Sequence, residues 1–145
     1  MDETRKGFTM VELLVVVLIV GILAVVAVPL MRGRTDASKW SEAKVAMSMI
    51  ATALRTHARE KGSFSGAPTF AGIGIRDSDL DGTYFTHECY AITSVSAANG
   101  QIGFVITCTA ANSQRSGAPS SPPVMTLTCT AENGYAATFA EGAGN

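Results

Sequence analysis

Charge is scarce in this chain: 16% of its 145 residues are Asp, Glu, Lys or Arg, and their sum is a net charge of -1. Without a basic excess, nucleic acid is not expected as a partner. Aromatic residues are also few, at 7% with a single Trp. Tyr84, Phe85, Tyr90 and Phe104 fall in β-like stretches and suit core packing better than a ligand platform. Cysteine is limited to Cys89, Cys108 and Cys129. No pair forms C-x-x-C and zinc would need a fourth ligand from His57 or His87, so a zinc centre is disfavoured. No oriented base for a thiol nucleophile can be read, and the chain is not read as an enzyme. Its length suits one soluble domain plus a single further segment.

What the chain has in abundance is one apolar run. Leu13 to Val28 are sixteen consecutive apolar or glycine residues, and Phe8 to Val11 bring the stretch close to the ~20 residues that span a bilayer core. A secretory signal peptide has a shorter apolar stretch, about 7 to 15 residues, and a small-x-small cleavage site. Here Val25 and Val26 separate Ala24 from Ala27, which fits that site poorly. A plain single-span anchor is the simpler alternative. Glu12 argues against it, because an ionisable group at that depth costs roughly 2.5 to 3.5 kcal/mol on insertion scales and asks for a cationic partner. Cleavage after Gly7 would supply one: a new α-amino group on Phe8, at the depth of Glu12 in a neighbouring copy.

Lys6-Gly7-Phe8-Thr9-Met10-Val11-Glu12, followed by the Leu/Val/Ile run through Ala27-Val28-Pro29, resembles the leader and N-terminal helix of type IV pilins and of the related type II secretion pseudopilins. Gly7, Phe8, Glu12 and Pro29 match the pattern; Met10 stands where Leu is more usual. The resemblance implies the type IV pilin fold, an α+β plan in which a long, kinked N-terminal helix packs on a four-stranded antiparallel sheet. It implies a leader over residues 1–7, cut between Gly7 and Phe8 by a prepilin peptidase, and N-methylation of Phe8. It further implies a single-pass precursor in the cytoplasmic membrane, its N-terminus in the cytoplasm. Copies then polymerise through the pilus assembly machinery into an extracellular filament or a periplasm-spanning pseudopilus. Basic residues do not set the orientation, since Arg5 and Lys6 precede the run while Arg32, Arg34 and Lys39 follow it. The alternative to a filament subunit is a membrane-anchored binding module with a calcium loop.

Residues 8–30 are the predicted membrane and filament-core half of the helix, and 31–62 its continuation as the spine of a head. Trp40, Ala43, Met47, Ile50, Leu54 and Ala58 recur at spacings of three and four and predict one buried stripe. Pro29 and Gly33 predict a kink or local melting between Val25 and Gly33. Gly62 is the predicted left-handed cap.

Residues 63–145 are the loop and sheet of the head. Ser63 to Ser78 reads as an ordered loop pinned by Phe64, Phe70, Ile73 and Ile75. Four strands follow: Thr83 to Ser96 and Gln101 to Ala111 about Asn99-Gly100, then Val124 to Thr130 and Tyr135 to Phe139 about Asn133-Gly134.

Two features could carry chemistry in this head. Asp77-x-Asp79-x-Asp81-Gly82, with Glu88 six residues on, has the spacing of a calcium loop. The flanks are a glycine-rich loop and a strand rather than two helices, so the readings are a bound Ca²⁺ or a capped turn. No cofactor is required by either. The cysteines predict one disulfide in an exported domain. Pairing about Asn99-Gly100 sets Cys108 opposite Ala91, and symmetric closure about Ala118-Pro119 sets Cys108 opposite Cys129. The predicted pair is therefore Cys108 with Cys129, leaving Cys89 free.

Overall fold

The computed structural model describes residues 7–98 and 100–142; apart from Gly7, the predicted leader lies outside them. The helix α1 runs from Met10 to Lys61. It contains Pro29 and stays helical from residue 25 to residue 33, so the predicted local melting does not occur. Pro29 removes only the bond its nitrogen would donate to the Val25 carbonyl, and one missing bond in a helix of 52 residues is offset by propagation on both sides. At the other end the Gly62 N–H donates to the Ala58 carbonyl at 2.8 Å, with Gly62 at φ +76° as its sequence position predicted.

The chain divides into two units, one ending at Arg34 and the other beginning at Thr35. In the first, every described residue is exposed. In the second, Trp40, Ala43, Met47, Ile50, Leu54 and Ala58 of the predicted stripe are all buried, joined by Ala51.

The stripe shares one core with a four-stranded antiparallel sheet of order β1-β2-β3-β4. The strands are β1 (Tyr90–Ala98), β2 (Gln101–Thr109), β3 (Val124–Cys129) and β4 (Thr138–Gly142). The α+β plan, a long N-terminal helix with a four-stranded antiparallel meander, is thus the observed one. The sheet's inner face supplies Phe104, Ile106, Cys108, Met125, Leu127 and Cys129, all buried. Trp40 and Phe85 meet with ring centroids 4.9 Å apart and planes tilted by 45°, a favourable aromatic geometry. Ile73 and Ile75 are buried as predicted for the loop after α1.

Strand ends and both registers at Cys108 differ from the sequence-based expectation, Cys108 facing Tyr90 and Met125. Thr83 to Cys89 is not strand, and β1 begins only at Tyr90. The reason is that the backbone N–H groups of Thr83, Tyr84, Phe85 and His87 are taken by side-chain carboxylates and cannot join a ladder. β2 ends at Thr109, where Ala110–Asn112 turns into a 3₁₀ helix. β4 begins at Thr138 because the preceding turn is longer than two residues: Ala131–Asn133 is 3₁₀, and Gly134 and Tyr135 both have positive φ. Of the Asn99-Gly100 turn, only Gly100 is described, at φ +76°.

Candidate functional site

The N-terminal end of α1 is set by one residue. Thr9 is followed three positions later by Glu12, the Thr-x-x-Glu spacing of a capping box. The Glu12 amide donates to Thr9 Oγ1 at 3.2 Å, while the Thr9 amide and hydroxyl donate to Glu12 Oε2 at 3.2 and 2.9 Å. Sequence reasoning singled out Glu12 without its local partner, although the spacing carried the signal. Gly7 and Phe8 lie just ahead of this box. Phe8 is exposed, and no atom approaches within 4 Å of where a Gly7 Cβ would stand.

Behind the box, α1 is apolar on every side. Of the exposed large hydrophobic side chains among the described residues, all but Val45, Met49 and Phe139 lie between Phe8 and Met31. The helix is long and apolar enough here to cross a membrane. So large an apolar surface needs lipid or other helices around it.

In the second unit, two carboxylates on α1 hold loops by their backbone. Glu42 accepts from the N–H groups of Thr83, Tyr84 and Phe85 at 3.0, 2.9 and 3.1 Å. Gly82 is required for this approach, because a Cβ there would collide with the Glu42 carboxylate. Asp36 Oδ2 accepts from the Ser120 N–H, the Ser120 hydroxyl and the Ser121 N–H at 3.0, 3.1 and 3.1 Å. Burial alone would raise the Asp36 pKa. The Ser120 and Ser121 donors and Lys39 outweigh it and hold the carboxyl below its ordinary 3.8. Neither anchor has a sequence signature, since all the donors but the Ser120 hydroxyl are backbone N–H groups.

The four residues of the calcium spacing are not brought together. Asp77 to Leu80 form a short helix, α2. Asp79 turns back to the Arg76 N–H at 3.1 Å, and that bond foremost lowers its pKa. Asp81 accepts from the His87 N–H at 2.8 Å and meets the ring Nδ1 at 3.0 Å. Glu88 accepts from Gln114 Nε2 at 2.8 Å. Among the described residues no group of three or more His, Cys, Asp or Glu is arranged to hold a metal ion. As placed, Asp79 and Asp81 cap turns, and Gly82 makes room for the Glu42 carboxylate.

The predicted Cys108–Cys129 disulfide is also corrected. Cys108 faces Met125 and Cys129 faces Phe104. All three cysteines are buried, and none is bridged in this structure. β3 pairs four residues out of the predicted register because β2 ends at Thr109, where the 3₁₀ turn begins, so Thr109 faces Val124 and the ladder closes about Ser116-Gly117 rather than Ala118-Pro119.

A family model described as a prokaryotic N-terminal methylation motif matches residues 4–28. A type IV major pilin protein of Neisseria gonorrhoeae is 30% identical over 117 residues, 81% of this chain and 67% of that protein. A fimbrial protein of Neisseria meningitidis serogroup A is 34% identical over 113 residues, covering 78% of this chain and 59% of its own length. A type IV major fimbrial protein of Dichelobacter nodosus is 33% identical over 106 residues, covering 73% and 64% respectively.

Proposed function

Because this chain belongs to the type IV pilin family, we propose that it is a structural subunit of a pilus-like filament, made as a membrane precursor and cut between Gly7 and Phe8. The observation that carries the reading is the all-round exposed apolar helix from Met10 to Met31, begun by a capping box and joined to a head that has its own buried core. A helix apolar on every side fits lipid before assembly and fits like helices after it. The methylation motif over residues 4–28 supports prepilin-peptidase processing and methylation of Phe8. The relatives carry pilin and fimbrial names, which supports a surface filament over a secretion pseudopilus. The role of the head is structural, with self-association and the assembly machinery as its partners.

Glu12 gives the polymer its register. In the single chain both Thr9 donors converge on Oε2, and Oε1 is the oxygen that remains for the Phe8 amine of an adjacent copy. Apolar burial from lipid into helix contacts gains little, so packing and this charge pair select among registers. In a low-dielectric core the pair acts mainly by penalising arrangements that leave both charges alone.

The test is filament assembly in Glu12 variants, read by electron microscopy and by the mass of the membrane-bound chain. Glu12→Ala should leave insertion and cleavage intact while filaments fall sharply, and Glu12→Gln should be intermediate at best. Thr9→Ser, which keeps the capping box, should assemble normally. Abundant, normally shaped filaments from Glu12→Ala would overturn the pairing account.

A further inference from the structure

Of the three cysteines, one pair stands close enough to be bridged, and it is not the pair that closure about Ala118-Pro119 predicts. Tyr90 at the start of β1 faces Cys108 on β2, and Cys89 is the residue immediately before Tyr90. A cross-strand step of about 5 Å and a step along the chain of about 3.4 Å put the Cys89 and Cys108 Cα atoms about 6 Å apart. That lies inside the range of about 4.4 to 6.8 Å that disulfides span. Cys129 faces Phe104, four residues along β2 from Cys108, a displacement of about 13 Å that forbids a bridge. Its sulfur is held at that end of the sheet, donating to the Tyr135 carbonyl at 3.2 Å.

A bulge makes the pairing. Near the turn β1 pairs with Ala98 opposite Gln101, and continued without interruption this register would place Ala91 opposite Cys108. Between Ile92 and Ser94 the register shifts by one, so Tyr90 takes that place and Cys89 moves one step nearer. Cys89 ends the 3₁₀ turn His87–Cys89 and lies in the same buried cluster as Cys108, freed from the strict alternation of a strand.

We propose that Cys89 and Cys108 are the disulfide-forming pair of the head, with Cys129 a structural thiol. Both sulfurs are buried; burial foremost, and then the neighbouring Cys89, push the Cys108 pKa up. The folded Cys108 thiol is therefore a poor nucleophile, and the bond forms while the chain folds, before the core closes. A small disulfide such as oxidised glutathione accepts the electrons: both S–H bonds break, the Sγ–Sγ bond forms, and the two hydrogens and two electrons reduce the glutathione disulfide to two thiols. The pairing rests on the register alone; the proposed filament role enters only through the oxidising compartment.

The experiment is refolding of the full-length chain in detergent from its denatured, reduced state, in mixed reduced and oxidised glutathione, followed by alkylation in denaturant and peptide mapping. Trypsin cuts after Arg76 and Arg115 and leaves both cysteines in one peptide. That peptide should be unalkylated and two hydrogens lighter than its dithiol form, and cleavage after Phe104 should leave its halves joined. Cys129 should be alkylated. The link should persist in Cys129→Ser and vanish in Cys89→Ser without replacement by another. Reduction should lower Tm by on the order of 10 °C. Three alkylated thiols, or any link to Cys129, would overturn the proposal. Chain isolated from cells with thiols blocked at lysis should carry the same link; a reduced chain there, with the link formed in vitro, would count against an exported head and not against the pairing.

Discussion

Between Met10 and Met31 the helix exposes every large apolar side chain, whereas from Trp40 to Ala58 it buries one stripe and leaves Lys44, Ser48, Thr52 and Thr56 outside. The backbone is the same α1 throughout. What changes is the pattern: an unbroken apolar run in one unit, a period of three and four in the other. The contrast teaches that the head is completed within the chain, while the first unit is completed only by what surrounds it.

The largest expected effect separates the two units. Leu54→Ala removes a fully buried side chain from the head core and should lower head stability by about 2 to 5 kcal/mol. Leu18→Ala, in the exposed unit, should change the head's unfolding by less than about 0.5 kcal/mol. Both are measurable by thermal melting of the full chain in detergent. Equal losses from the two would erase the distinction between the units.

A smaller effect sits at the loop anchors inside the head. Glu42→Ala strips the acceptor from three backbone N–H groups and should cost about 2 kcal/mol, since water reaches some of the donors freed. Glu42→Gln keeps one acceptor oxygen and should lose less. Chemical denaturation measures both, and a loss from Glu42→Ala within error would mean that the 83–85 loop is held by its apolar contacts alone.

The smallest effect is a pH dependence at Asp81 and His87. The Asp81 side chain foremost raises the His87 pKa above its ordinary 6.5, against a smaller effect of burial, with Asp77 and Glu88 adding to it. The folded state therefore holds this proton more tightly than the unfolded state. Its contribution is fully present below about 6.5 and is lost as pH rises through the raised value. Asp81 behaves oppositely: the His87 N–H foremost lowers its pKa, so its contribution fades as pH falls below about 3.8. Melting from pH 5 to pH 9 should show the wild type losing more stability than His87→Ala across the histidine window. Parallel curves would remove this linkage.

These outcomes bear on how much was legible in the residues alone. The stripe from Trp40 to Ala58 was legible because helical burial follows a period that the side chains display. The existence and order of four strands was legible from alternation and from the Asn-Gly turns. Register was not, for two physical reasons. The bulge between Ile92 and Ser94 has no glycine to announce it, and the 110–123 connection folds three of its residues into a 3₁₀ turn. Thr83 to Phe85 looked like strand by composition, yet Glu42, distant in sequence, captures their N–H groups. At the N-terminus Gly7, Phe8 and Glu12 were visible as a motif, and Thr9 was overlooked although its spacing to Glu12 was in view. The acidic spacing from Asp77 to Glu88 suggested a metal because spacing does not say where each carboxylate turns, and three of the four turn to donors nearby.

The claim on which the rest depends is that the exposed apolar unit belongs to a processed subunit, whose new amine at Phe8 lies within reach of Glu12 in a neighbour. Mass spectrometry of the mature N-terminus tests it most directly, on chain isolated from membranes and from sheared filaments. The account predicts a first residue of N-methylated Phe8, with residues 1–7 absent, in the filament fraction. An intact Met1 on chain from the filament fraction, or membranes holding only uncut chain, would contradict it and identify the apolar segment as a plain anchor.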